Sequence, residues 1–247
     1  MNDGLVIIPT YNEKENIEKI IRAALSQPKD FHVLVVEDNS PDGTADIVKR
    51  LIKEEFEGKL HILERKGKLG LGTAYIAGFR WGLKNGYDII FEMDADFSHN
   101  PNDLVKLHQA IKDGADAAIG SRYVSGVNVV NWPMGRVLMS YFASKYVRMI
   151  TGMKINDTTA GFVCWSRKVL ETIDLDKIKF VGYAFQIEMK YSAVKLGFNV
   201  VEVPIIFTDR TEGESKMNKS IFREAIFGVI DLRLRSMFGK IKPAKSA

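Results

Sequence analysis

Leu5-Val6-Ile7-Ile8-Pro9-Thr10-Tyr11-Asn12-Glu13 decides the fold. Its first four residues are a continuous apolar run, mostly β-branched, with no alternation between a wet and a dry side. Such a run reads as a strand buried on both faces, the habit of a parallel sheet. From Glu13 to Ser26 apolar residues recur at Ile17, Ile20, Ile21, Ala24 and Leu25, the spacing of a helix with one buried stripe. Pro9 to Glu13 is then a loop at the carboxyl end of a strand.

The same unit repeats downstream. His32-Val33-Leu34-Val35-Val36 is followed by the loop Glu37-Asp38-Asn39-Ser40-Pro41-Asp42-Gly43, and a helix from Thr44 carries Ile47, Val48, Leu51 and Ile52. Leu60 to Glu64 reads as a third strand, followed by Gly67-Lys68-Leu69-Gly70-Leu71-Gly72 and a helix through Ala77, Phe79 and Leu83. Tyr87 to Met93 reads as a fourth, and it stops abruptly at Asp94-Ala95-Asp96-Phe97-Ser98-His99. Open α/β sheets bind ligands beyond the carboxyl ends of their strands, so the loops at Pro9, Glu37, Gly67 and Asp94 are expected to line one site. In an extended segment residues i and i+2 share a face. Asp94 and Asp96 can therefore turn toward one hard cation, Mg²⁺ or Mn²⁺, although a strand end with two solvated carboxylates has the same pattern.

Several classes are excluded. No Gly-x-Gly-x-x-Gly follows the first strand, which removes a dinucleotide-binding dehydrogenase, and the glycine cluster after the third lacks the Lys-Ser/Thr of a phosphate-binding P-loop. By itself that cluster reads as a turn with a close-packed helix start. The 247 residues suit one large domain, and a net charge of +4 argues against a dedicated nucleic-acid binder. The single cysteine, Cys164, can form no intrachain disulfide and reads as a core residue. The chain opens without a basic leader and holds no apolar run of about 18 residues, so no signal peptide and no transmembrane helix are expected.

Two later stretches are amphipathic and basic. Met134 to Ile150 sets Val137, Leu138, Tyr141, Phe142, Tyr146 and Val147 against Arg136, Lys145 and Arg148. Ser220 to Phe238 sets Ile221, Phe222, Ala225, Ile226, Val229, Ile230 and Leu234 against Lys219, Arg223, Arg233 and Arg235. Either pattern serves a helix packed on its own core or one lying in a membrane interface. Trp132 reads as an interface anchor or a buried packing residue. A helix over Tyr183 to Leu196 and a strand over Val200 to Phe207 are structural, with Gln186 and Glu188 at the border of the site.

In their order along the chain, Pro9-Thr10-Tyr11-Asn12-Glu13, Glu37-Asp38-Asn39-Ser40-Pro41-Asp42-Gly43-Thr44, Gly70-Leu71-Gly72-Thr73-Ala74 and Asp94-Ala95-Asp96 resemble the nucleotide-sugar half of an inverting family 2 glycosyltransferase. Gly120-Ser121-Arg122-Tyr123, Asn131-Trp132-Pro133 with Arg136, Asp157-Thr158-Thr159-Ala160-Gly161-Phe162, Gly182-Tyr183-Ala184-Phe185-Gln186-Ile187-Glu188 and Arg210-x-x-Gly213-x-Ser215-Lys216 are similar to those of dolichyl/polyprenyl-phosphate mannose synthases. The match runs from Ile7 to Lys216.

The resemblance implies an α/β chain with the A-type glycosyltransferase fold, a Rossmann-like, mainly parallel sheet flanked by helices. It implies a catalytic domain over residues 1–217, an amphipathic helix over 218–239 packed on the domain or at the membrane interface, and a basic flexible tail over 240–247. It implies transfer of mannose from GDP-mannose to a polyprenyl phosphate with inversion. In that scheme Pro9, Tyr11, Glu13, Val36 and Asp38 hold the guanosine. Asp94, Ala95, Asp96 and Ser98 approach the diphosphate and the metal, with Asp94, Asp96 and Ser98 as ligands. Glu37 and Asn39 flank Asp38 where related chains often carry Asp, and Ser98 stands where some carry Gln. Arg122, Arg136 and Ser140 hold the lipid phosphate, and Arg210 and Lys216 lie on a loop that closes over the reacting phosphates.

A phosphate monoester is mostly dianionic at neutral pH, so no protein base is obligatory; Asp157 is the carboxylate to test, with a turn or cap as its other reading. The scheme places the enzyme on the cytoplasmic face of a membrane as a peripheral protein that uses Mg²⁺ or Mn²⁺, with a membrane-anchor subunit as a further partner. Two alternatives stay open: a UDP-glucose-dependent polyprenyl-phosphate glucosyltransferase, and a nucleotide-sugar-binding module without catalysis.

Overall fold

The computed structural model describes residues 2–182, 184–209 and 219–244, with the backbone alone over 219–226. Strands β1 (Gly4–Thr10), β2 (Phe31–Glu37), β3 (Leu60–Glu64) and β4 (Ile89–Glu92) alternate with helices α1 (Ile17–Leu25), α2 (Thr44–Glu54) and α3 (Leu71–Lys84). After β4 come α4 (Asp103–Lys112), β5 (Ala117–Ser121), β6 (Val129–Val130), α5 (Met134–Thr151), β7 (Val163–Ser166) and α6 (Arg167–Thr172). The chain closes with α7 (Ala184–Lys195), β8 (Val200–Pro204), β9 (Phe207–Thr208) and α8 (Lys219–Met237).

The main sheet has seven strands in the order β3-β2-β1-β4-β7-β5-β8. Only β7 runs antiparallel, between β4 and β5. β1 shows why the unbroken apolar run was needed. Leu5 and Ile7 face a core shared with Tyr75, Phe79, Phe185 and Val229, while Val6 and Ile8 face a second core shared with Ile17, Ile20, Val48 and Leu104. All four are fully buried, each worth roughly 1.5–3 kcal/mol of transfer free energy. The result is the sheet with helices on both faces that the sequence implied. Cys164 is a buried core residue of β7.

Three boundaries move for local reasons. β4 is shorter than Tyr87 to Met93 because the Tyr87 N–H donates to Gly82 O and so still belongs to the end of α3. α1 begins at Ile17 rather than Glu13, since Asn12 sits at φ +58° in the preceding turn. The strand expected over Val200 to Phe207 divides: β8 ends at Pro204, and Phe207 pairs with Val129 in a separate two-stranded ladder. Proline has no N–H to continue a ladder.

Helix α8 packs on α5 and α7, with Val229 and Leu232 buried and Arg235 paired to Glu188 at 2.7 Å. No helix among the described residues is long and apolar enough to cross a membrane.

Candidate active site

The chain changes direction across the sheet between β1 and β4, and the loops that follow these two strands meet at their carboxyl ends, the usual ligand crevice of such a sheet. On one side the expected loops are joined to one another. The Asn12 N–H donates to Ser40 Oγ at 3.0 Å, the Lys14 N–H to Asp42 Oδ2 at 3.1 Å, and Lys68 lies 4.9 Å from the Tyr11 ring centre. Glu13 and Tyr11 are half-buried in this cluster, Pro9 is part-exposed at the end of β1, and Val36 is wholly buried beneath it. Glu37 accepts the N–H groups of Asn39 and Ser40 at 2.8 Å each, so it shapes the turn. Asp38 is held by a residue the sequence reading passed over. Arg65 forks onto it through Nε and Nη2 at 2.6 and 2.7 Å and donates from Nη1 to Thr73 Oγ1 at 2.8 Å.

At the end of β4, Asp94 and Asp96 line a cavity of about 490 Å³ together with Ser98, His99, Arg122, Arg136, Ser140 and Gln186. Phe97, at φ +60°, makes the tight turn, and the Ser98 N–H donates to Asp96 Oδ1 at 3.1 Å. Ala95 is buried between the two carboxylates in sequence. His99 also escaped the sequence reading, although it closes the same motif. It is buried, stacked on Phe162 at 4.9 Å, and its Nδ1 accepts the Asp94 N–H at 3.1 Å. Burial pushes its pKa down, in agreement with an Nδ1 that carries a lone pair.

Across the cavity Arg122 is buried against Asp157. Its Nε and Nη2 each lie 2.6 Å from a carboxylate oxygen, its backbone N–H adds a third bond at 3.0 Å, and Nη2 also reaches Thr159 Oγ1 at 2.9 Å. Burial by itself raises the Asp157 carboxyl, and the Arg122 charge, the hydrogen bonds from Arg122 and the Lys190 charge together more than offset it, so the net displacement is downward. Asp157 is thus an orienting anion with both oxygens committed, which is how the structure answers its candidacy as a base. The loop that carries it is tied down twice. Glu202 of β8 accepts the N–H groups of Asn156 and Asp157 at 2.7 and 2.9 Å, and Lys190 of α7, wholly buried, donates to the Thr158 carbonyl at 3.2 Å.

Arg136 lies 4.2 Å from the Trp132 ring centre and pairs with Asp209 at 2.8 Å. Trp132 also meets Phe207 edge-on and lines the cavity. Glu188 does not border the cavity: it is buried, accepts the Lys179 and Phe180 N–H groups, and pairs with Arg235. Met139, Phe142, Tyr146 and Val147 of α5 line the cavity's apolar side. The same helix leaves Leu138, Tyr141, Phe142 and Met149 exposed. Arg210 and Lys216, with Gly213 and Ser215, lie outside the described residues.

The glycine cluster after β3 has a packing purpose. Gly70 caps α3 at φ +100°, and a Cβ on Gly72 would stand 2.8 Å from the Phe185 ring. The Gly72 N–H donates to Val181 O at 2.9 Å, so the start of α3 and the start of α7 are locked together at the cavity edge.

Residues 5–174 match the model of the family described as glycosyl transferase family 2. The chain is 47% identical over 238 residues to a polyprenol monophosphomannose synthase of Mycolicibacterium smegmatis, covering 96% of this chain and 89% of that one. It is 46% identical over 225 residues to an undecaprenyl-phosphate mannosyltransferase of Micrococcus luteus, covering 91% of each. Among solved structures, glucosyl-3-phosphoglycerate synthase from Mycobacterium tuberculosis in complex with phosphoglyceric acid superposes with a TM-score of 0.67 at 17% identity, over 92% of this chain and 79% of that one. The same enzyme with Mn²⁺, uridine diphosphate and glucosyl-3-phosphoglycerate gives 0.64 at 18% identity, over 95% and 79%. These two share the fold. Sequence match and geometry together make the chain a glycosyltransferase that belongs to glycosyl transferase family 2, on the branch that holds the polyprenyl-phosphate mannose synthases.

Proposed function

We propose that the enzyme transfers mannose from GDP-mannose to a polyprenyl phosphate at a membrane surface, with inversion at the anomeric carbon and with Mg²⁺ or Mn²⁺ bound. The observation that carries the reading is a single cavity lined by two carboxylates, two arginines and an apolar side on the half-exposed helix α5. The arginines and the apolar side suit a lipid phosphate, and the carboxylates suit the cation of a nucleotide-sugar donor. The relatives' names supply the acceptor class and the sugar, and the Asp38, Tyr11 and Glu13 cluster supplies a place for the nucleoside.

Two carboxylates without a soft ligand nearby suit a hard cation, and Asp94 and Asp96 would hold it. His99 keeps its Nδ1 on the Asp94 N–H and so acts as a brace for the loop. When bound, the ion would neutralise the diphosphate as it departs. Arg122, oriented by Asp157, and Arg136, stacked on Trp132, would pull the acceptor phosphate into line with the anomeric carbon, with Ser140 beside it. A guanidinium keeps its charge at any working pH and suits a phosphate. The acceptor dianion attacks without losing a proton, so the residues' task is to position charge rather than to act as a base. Arg210 and Lys216 complete the phosphate contacts in this scheme, and Ser98 stands beside the metal carboxylates.

Purified protein with a short polyprenyl phosphate, Mg²⁺ or Mn²⁺, and labelled GDP-mannose or UDP-glucose in parallel tests the reading. Lipid-linked mannose from GDP-mannose is expected. Preference for UDP-glucose would overturn the donor, and label from neither would overturn the reaction.

A further inference from the structure

A buried polar chain reaches the cavity from below and ends in an oxygen that has no partner among the described residues. Glu92, the last residue of β4, is wholly buried. Its Oε1 accepts the indole N–H of Trp165 at 2.6 Å, and its Oε2 accepts the amide Nε2 of Gln186. The orientation of the Gln186 amide follows from this. An ionised Glu92 only accepts, so in that state it takes the NH₂ group and leaves the Oε1 facing away from it. Gln186 is 2% exposed and lines the cavity that holds Asp94 and Asp96, and its Oε1 is a buried acceptor without a hydrogen bond. Buried acceptors are nearly always satisfied, so an oxygen left open on a ligand cavity points to a donor group on the ligand.

The placement is rigid. Phe185, next in sequence, stacks on Tyr75 at 6.1 Å with an interplanar angle of 8° and is the ring that Gly72 makes room for. Tyr75 in turn donates to Asp94 Oδ1 at 3.4 Å. Gln186 is therefore braced to the same frame as the carboxylate pair. Of the parts of the two substrates, the nucleoside's donors belong, in the reading above, at the Asp38 loop; a phosphate offers no hydrogen-bond donor when fully ionised and a prenyl chain offers none at all. A sugar hydroxyl does.

We propose that Gln186 is a specificity-determining residue whose amide oxygen accepts a hydrogen bond from a hydroxyl of the transferred hexose, with Glu92 and Trp165 as positioning residues behind it. The inference rests on the mannosyl-transfer reading above. It adds that the enzyme reads the sugar through a neutral amide fixed by a buried carboxylate.

Monodeoxy GDP-mannoses, lacking the 2-, 3-, 4- or 6-hydroxyl, are compared as donors for the wild type and for Gln186→Met, which keeps the length and removes the acceptor. In the wild type one analogue should fall roughly ten- to hundredfold in kcat/KM, the penalty of leaving a buried polar group unpaired. In Gln186→Met that analogue and the parent sugar should become equal, whereas a merely structural role would lower every donor by one factor. Equal tolerance of all four deoxy sugars by the wild type overturns the proposal, and this arm needs no variant to fold. GDP affinity by calorimetry should be unchanged in Gln186→Met; its loss together with uniform donor loss would also overturn it. Should UDP-glucose prove the donor, the mannosyl reading fails on its own, and the same cycle with deoxy-UDP-glucoses decides Gln186.

Discussion

Arg122 and Asp157 form a fork-to-fork pair inside the protein, with both nitrogen-to-oxygen distances at 2.6 Å and the carboxylate wholly buried. Removing one partner of such a pair leaves an uncompensated buried charge, which costs about 3–5 kcal/mol. Asp157→Asn should therefore lower the unfolding free energy by about that much. It should also raise KM for the lipid phosphate more than KM for the nucleotide sugar, because it frees the guanidinium proposed to orient the acceptor. The Asp157 carboxyl is depressed in the folded state, so the pair's stabilisation is complete above the unfolded value of about 3.9 and is lost as pH falls through the folded one. Denaturant melts at pH 7 and initial rates against each substrate check both parts. An unchanged acceptor KM in a folded variant would confine Arg122 to a structural role.

Arg65 and Asp38 make the corresponding pair on the side proposed for the nucleoside, mostly buried at 10% and 8% side-chain exposure. Arg65→Met should weaken GDP binding by roughly tenfold, since an Asp38 left without its charged donor loses its fixed orientation. The lipid acceptor's KM should barely move. Calorimetry with GDP alone separates the two, and equal losses for donor and acceptor would show that the pair only supports the fold.

Much of this architecture could be read from the chain because it is local. The continuous runs in β1 and β2, the helical spacing in α1 and α2, and the abrupt stop at Asp94 are all properties of a few adjacent residues. What could not be read is pairing across long stretches. Nothing near Asp38 announces Arg65, and nothing near Gly72 announces that its missing side chain is space for Phe185. Nothing adjacent to Glu92 or Lys190 announces their burial either: each is held by partners elsewhere in the chain. Glu188 went the other way: its place in the motif suggested the border of the site, and tertiary packing uses it as an ion-pair partner of Arg235.

Asp96→Ala should abolish metal-dependent transfer and leave the fold intact, because Asp96 is only half-buried at the cavity wall. Titration of activity against Mg²⁺ and Mn²⁺ checks the ligand role. Turnover equal to wild type at limiting metal would remove Asp96 from the site.

Neighbouring residues of α8 should respond in opposite ways to substitution. Phe227 and Ile230 are 64% and 41% exposed, whereas Val229 is 2% exposed. Glutamate at 227 and 230 should reduce flotation with anionic liposomes while the melting temperature holds, because exposed apolar side chains on a basic helix are what an interface would bury. Val229→Ala should leave flotation alone and cost about 2 kcal/mol of stability. Flotation unaffected by the double glutamate variant would assign these side chains to contacts other than lipid.

Glu92→Gln tests the buried chain beneath the cavity by its pH dependence. Burial pushes the Glu92 carboxyl up to about 7; hydrogen bonds from Trp165 and Gln186 and the charge of Lys190 oppose the rise, and Asp94 adds to it. An unfolded glutamate titrates near about 4.3, so between the two values the folded protein holds a proton that the unfolded chain has lost. Its contribution is fully present below the unfolded value and disappears as pH rises through about 7. A glutamine cannot titrate. The melting temperature of Glu92→Gln relative to wild type should therefore climb from pH 5 to about pH 7 and level off above it. Transfer should fall in the same variant. With its oxygen on the Trp165 N–H, the new amide presents NH₂ to Gln186, whose own oxygen must turn toward it and away from the cavity. A pH-independent difference in melting temperature would mean that Glu92 is not the titrating group, and undiminished transfer would mean that the orientation of Gln186 does not matter.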